Sequence, residues 1–113
     1  MGIGDIYTTD IPSTNGHEQA GSRPAVIVQA AQFEKQLSTV IIVPLTSQLG
    51  AQSFPGTLLI NPDAENGLTK DSVALVFQLR AIDKKRLKRK LGRLSTIQMD
   101  QLFELVKVLM QLP

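Results

Sequence analysis

The sequence predicts an α+β fold that is mainly β: a small barrel or strongly bent sheet of short strands, followed by one C-terminal helix. Three observations carry this. Apolar, β-branched runs of strand length follow one another through the first 82 residues, set off by Gly, Pro, Asn and Asp. No helix-length periodicity appears before residue 83. Beyond Leu94 the pattern changes to apolar residues at helical spacing. Short consecutive strands favour closure or strong bending, because a flat open sheet leaves its edges exposed.

The first strand is "IGDIYTT", residues 3–9. "DIPSTNGHEQAGS" follows, rich in Pro, Ser, Asn and Gly, and reads as a loop of unusual length. Long loops in compact domains are often functional. "RPAVIVQAA" is a strand with Pro24 at its start, where no ladder bond is lost. "STVIIVPLTS" is a second buried strand, in which Pro44 implies an edge or a bulge. "QLGAQSFPG" is a loop. "TLLINP", a turn at Asn66-Gly67 and "SVALVFQLRAI" continue the β pattern. Asp83 caps a short helical turn in "DKKRLKRKLGRL". Ser95 and Gln98 form a capping box that opens a helix over 96–112. Its apolar face, from Met99 and Leu102 through Leu112, is wider than one packing surface needs. Two arrangements satisfy it: a helix shared between core and dimer interface, or one deeply buried in the monomer.

A chain of 113 residues gives one domain, 1–113, with room for a real core. No stretch has the length of a membrane span, and the start "MGIGDI" resembles neither a secretory signal nor a complete myristoylation site. Cysteine is absent and histidine occurs once. Disulfides, a thiolate nucleophile and Cys- or His-cluster metal sites are thereby excluded. The expectation is a cytoplasmic protein that uses no metal or cofactor. Charge is uneven. Residues 84–93, "KKRLKRKLGR", hold seven of the twelve Lys and Arg, whereas residues 1–83 hold four basic and eight acidic side chains. Such a block attracts a polyanion, or simply forms the solvated surface of a helix or turn. One Tyr and four Phe are too few for an interleaved base-stacking platform.

No P-loop, nucleophile elbow or dinucleotide fingerprint is present. What remains is a polar set at strand ends and loops: His17, Glu18, Gln19, Arg23, Thr46, Ser47, Gln48 and Gln78. Each has a structural reading too: Arg23 as a partner of Glu18, Thr46-Ser47 as a turn cap, Gln78 as a hydrogen-bonded interruption of an apolar run. Together they permit one reaction. RNA carries its own nucleophile, the 2′-OH. Cleavage then needs a base, a cation or donors for the developing phosphorane charge, and an acid for the leaving 5′-oxygen. An Arg fork suits a phosphate, and His17 can move protons near neutrality.

The order "GDIY…GHEQAGSRPAVIV…VIIVPLTS…PGT…GLTKDSVALVFQLRAID" closely resembles the MazF/PemK/Kid toxins of type II toxin–antitoxin systems, from about Gly4 to Leu94. The resemblance implies an SH3-like barrel with a C-terminal helix, a homodimer, and a metal-independent, sequence-specific endoribonuclease (an mRNA interferase). Cleavage of single-stranded RNA would leave 2′,3′-cyclic phosphate and 5′-OH ends. A cognate MazE-like antitoxin would occupy the RNA groove. Arg23 matches the Arg of the family's G-x-R-P junction, and Thr46 the Thr of its P-x-T-[SA] strand end; these two are the expected catalytic residues. His17, in a Kid-like "GHEQ" loop, is an expected RNA-binding residue with Glu18, Gln19, Ser47, Gln48 and Gln78. The Kid branch also uses an Asp just before the late-strand Gln and an Arg two residues earlier. Phe77 and Leu75 stand there instead, which favours the Arg23–Thr46 scheme. Two other classes compete: a non-enzymatic CcdB-like toxin that poisons DNA gyrase by binding it, and a plain SH3-like peptide module. The latter needs an aromatic-lined groove that this composition does not supply.

Overall fold

The computed structural model describes residues 1–11 and 21–113. Seven antiparallel strands form one curved sheet: β1 (Asp5–Ile11), β2 (Gly21–Ile27), β3 (Thr39–Thr46), β4 (Thr57–Ile60), β5 (Ser72–Leu75), β6 (Arg80–Asp83) and β7 (Leu87–Arg93). Helix α1 (Thr96–Met110) follows. The spatial order is β4-β5-β3-β2-β1-β7, with β6 also paired to β3. The mainly β, helix-terminated expectation is met, in its bent-sheet form; the barrel does not close. β4 and β7 end the path, and no ladder joins them. A loop bridges the gap instead: the Arg93 N–H donates to the Glu65 carbonyl at 3.0 Å.

That approach depends on two glycines. A Cβ on Gly67 would lie 2.1 Å from the Leu91 carbonyl oxygen, and one on Gly92 would lie 2.1 Å from that of Glu65. Asn66, fully buried, braces the turn between them. Its Oδ1 accepts from the Asp63 and Leu68 N–H groups (3.2 and 3.0 Å), and its Nδ2 donates to the Asn61 carbonyl (2.9 Å). The predicted Asn66-Gly67 turn thus does more than reverse the chain.

β3 is central, so Pro44 lies on no edge. Its other flank changes partner: Thr39–Ile42 pair with β6, and Leu45–Thr46 with β5. Pro44 occupies the gap between those two ladders, where a missing N–H is tolerated and the strand can bend. "SVALVFQLRAI" is correspondingly broken by a 3-10 turn, Val76–Gln78, between β5 and β6. The long loop 10–22 is shortened at both ends, because Asp10–Ile11 pair with Gly21–Ser22.

Each sheet face has its own core. One buries Ile6, Val26, Val43, Leu45 and Ile60 beneath Met99 and Leu102 of α1. The other buries Ala25, Ile27, Val40, Ile42 and Ile82, with Tyr7 and Leu87 packed against them. The capping box forms as predicted: Ser95 Oγ accepts from the Gln98 N–H (3.1 Å), and Gln98 Oε1 from the Ser95 N–H (3.0 Å). Asp83 also caps its short turn, Lys84–Arg86, by accepting from the Lys85 N–H at 2.9 Å. The rest of the basic run is not helical; it is β7. An edge strand rich in Lys and Arg resists edge-to-edge pairing, and β1 supplies the ladder that local propensity does not. Nor is α1 deeply buried: only Met99 and Leu102 are, while Val108 is 72% and Met110 61% exposed. Among the described residues, no helix is long and apolar enough to cross a membrane.

Candidate active site

The two expected catalytic residues, Arg23 of β2 and Thr46 of β3, stand just beyond one end of the β2–β3 ladder and line the same pocket. Ala25 pairs with Pro44 and Val26 with Val43. The backbones of Arg23 and Thr46 are both held. Thr9, fully buried, donates its hydroxyl to the Arg23 carbonyl at 3.0 Å. Thr46 is tied to β5 through Val73, and its Oγ1 accepts from the Gln48 N–H at 3.2 Å. That bond uses a lone pair of the hydroxyl and leaves its proton for a substrate oxygen.

Arg23, Thr46 and Ser47 line one pocket of about 380 Å³. Thr8 of β1, Ser22 and Pro24 of β2, Leu45 of β3, Gly67–Lys70 of the braced loop, Ser72 of β5, and Arg89 and Leu91 of β7 complete it. Three cations and several hydroxyls face this space, and among the described residues no Asp or Glu lines it. Such a lining suits an anion: Arg and hydroxyl donors match phosphate oxygens, and no fixed carboxylate repels them.

The remaining predicted residues fall elsewhere. Gln48 is exposed and contributes its backbone N–H to Thr46, but does not line the pocket. Gln78 is half-buried in the Val76–Gln78 turn and is also absent from the lining. His17, Glu18 and Gln19 lie outside the described residues. Leu75 is buried, and Phe77 is exposed with its ring centroid 6.0 Å from that of Phe54, so neither position carries a charge. Sequence reasoning missed Thr8, Lys70 and Arg89. The density of charge in residues 84–93 was the available signal for Arg89, but a helical reading of that run hides which side chains share a face.

A family model described as PemK-like, MazF-like toxin of type II toxin–antitoxin system matches residues 3–110. Endoribonuclease MazF of Staphylococcus saprophyticus is 39% identical over 101 residues, 89% of this chain and 83% of the relative. MazF from Deinococcus radiodurans has a TM-score of 0.82 at 21% identity, covering 98% of this chain and 96% of that one. A mycobacterial endoribonuclease solved in complex with its cognate antitoxin has a TM-score of 0.78 at 19% identity, covering 100% of this chain and 97% of that one. Those structures establish the fold; the family match, which runs through almost the whole sequence, establishes that the chain belongs to the PemK-like, MazF-like toxins of type II toxin–antitoxin systems.

Proposed function

We propose that this chain is a metal-independent, sequence-specific endoribonuclease that cleaves single-stranded RNA. The observation that carries the reading is the meeting of Arg23 and Thr46 at one cationic pocket free of carboxylates among the described residues. The name of the Staphylococcus saprophyticus relative supports it. In the reaction the RNA 2′-oxygen attacks the adjacent phosphorus, forming O2′–P and breaking P–O5′. The 2′-OH proton leaves to a base, and a proton reaches the departing 5′-oxygen. The products are a 2′,3′-cyclic phosphate and a 5′-OH. Arg23 holds the non-bridging oxygens, on which charge rises in the transition state, and the Thr46 hydroxyl donates beside it. The strand ends position both groups without a costly search. The loop 47–56, which begins at the pocket, supplies the surface that reads bases.

Two partners belong to this reading. One is an antitoxin that covers the pocket, as a cognate antitoxin accompanies the mycobacterial endoribonuclease and MazE the Deinococcus radiodurans MazF. The other is a second copy of the chain, seated on the apolar groove of about 350 Å³ that Phe77, Leu79, Val106, Leu109 and Met110 form.

The test is incubation of the purified protein with a long RNA in excess EDTA, with cuts mapped by primer extension and end chemistry determined. Cuts at one short motif, ending in cyclic phosphate and 5′-OH, are expected. Loss of cleavage in EDTA, or cuts without motif, would overturn the mechanism. Inhibition of DNA gyrase without RNA cleavage would favour the CcdB-like alternative.

A further inference from the structure

The basic run that forms β7 contains three consecutive cations, Lys88, Arg89 and Lys90, and the fold treats them differently. Lys88 pairs with Asp10 at 3.3 Å, and Lys90 with Asp5 at 3.5 Å. Arg89 makes no ion pair among the described residues and lines the pocket that holds Arg23 and Thr46.

A β-bulge sends it there. Thr9 pairs with Leu87 and Tyr7 with Lys90, so the single residue Thr8 opposes both Lys88 and Arg89. In an unbroken strand Leu87, Arg89 and Leu91 would share one face. Here Leu87 packs on the Tyr7 side of the sheet, whereas Arg89 lines the pocket with Leu45 and Leu68 of the opposite core; a second shift, at Leu91, follows between Tyr7 and Ile6. The extra residue shifts the alternation between 87 and 89. Thr8 locks the shift, accepting from the Arg89 N–H at 3.1 Å. Bulges of this kind re-aim side chains beside functional sites.

Arg89 is separated from Arg23 by β1, since the strand order runs β2-β1-β7. Two strand spacings amount to about 10 Å. The pocket extends from Arg23 on β2 past Thr8 on β1 to Arg89 on β7. We propose that Arg89 is a substrate-binding residue that holds an RNA backbone phosphate next to the scissile one, while Lys88 and Lys90 serve the fold through Asp10 and Asp5. The inference rests on the reading of the pocket as an RNA site. An Arg at this point sets the path of the strand across the pocket, and its loss weakens binding rather than the bond-breaking step.

The experiment compares wild type with Arg89→Gln, Arg89→Lys and Lys88→Gln, each checked by circular dichroism. The Thr8 bond involves only the backbone of residue 89, so these variants retain the bulge. Affinity is measured across a salt series on a short RNA carrying a 2′-deoxy nucleotide at a mapped cut, and turnover on the all-ribose RNA. For Arg89→Gln, Kd should rise about tenfold, in keeping with the loss of one charge-assisted contact. The slope of log K against log salt should fall by about 0.7, the value for one single-strand phosphate contact. kcat should stay within about twofold. Arg89→Lys should restore the slope and part of the affinity, and Lys88→Gln should match wild type. Unchanged Kd and slope in Arg89→Gln, a loss confined to kcat, or equal losses in Lys88→Gln would overturn the assignment. A wild-type protein that neither binds nor cleaves RNA would defeat the proposed function itself, and the inference with it.

Discussion

Substitution of Gly92 by alanine tests the contact that joins the two ends of the sheet. An added Cβ would lie 2.1 Å from the Glu65 carbonyl oxygen, 2.6 Å from the Asn66 carbonyl carbon and 2.8 Å from the Asn66 oxygen. All three neighbours are backbone atoms, so no side chain can swing away. The loop that carries them is fastened by the buried Asn66 side chain and yields only by giving up those hydrogen bonds. Forced overpacking costs about 1–3 kcal/mol. Displacement of the loop also breaks the Arg93 N–H to Glu65 bond, worth about 1 kcal/mol. A loss of about 3 kcal/mol is expected, which for a domain of this size lowers Tm by about 12 °C. The assay is thermal and urea unfolding at fixed protein concentration, because the proposed dimer would link stability to concentration. Gly50→Ala is the control: nothing lies within 4 Å of its Cβ position, and a change below about 0.5 kcal/mol is expected. Gly67→Ala should cost at least as much as Gly92→Ala, since its φ of +69° adds a left-handed penalty of about 1 kcal/mol to a 2.1 Å approach. Gly92→Ala within about 0.5 kcal/mol of wild type would refute the reasoning.

Arg23→Ala should lower single-turnover RNA cleavage by a hundredfold or more, about 3 kcal/mol of transition-state stabilisation, and Arg23→Lys should rescue only partly because an ammonium lacks the guanidinium fork. Thr46→Ala should be strongly impaired and His17→Ala less so; near wild-type rates for folded Arg23→Ala and Thr46→Ala would sink the site. Sedimentation velocity should find wild type at about twice the 12.3 kDa chain mass, and Met110→Glu, at an exposed position of the apolar groove, shifted towards monomer without loss of fold; a wild-type monomer with full activity would remove the dimer. Ser95→Ala should destabilise by about 1 kcal/mol in the same unfolding assay, since it deletes half of the capping box; no change would mean that α1 is held by packing alone.

Features that act over a few residues were legible in the chain. Asp83, Ser95 with Gln98, and Asn66-Gly67 announce their caps and turn, because donor and acceptor lie two to three positions apart. Alternating β-branched runs announced most strands, and the motifs around Arg23 and Thr46 announced the pair that meets in one pocket. Tertiary structure decided what depends on distant partners. The run 87–93 has no strand pattern of its own; it extends because β1 offers a ladder, and Thr8 meets Arg89 across 81 positions. Gly67 and Gly92 read as ordinary turn or strand glycines until two backbones need the space of a Cβ. Arg89 joins the pocket only through a bulge, and a bulge is a mismatch between two strands that neither strand records alone. Local hydrogen-bonding signals survive in one dimension, whereas register, curvature and the convergence of side chains are set when separate segments must bury one core together.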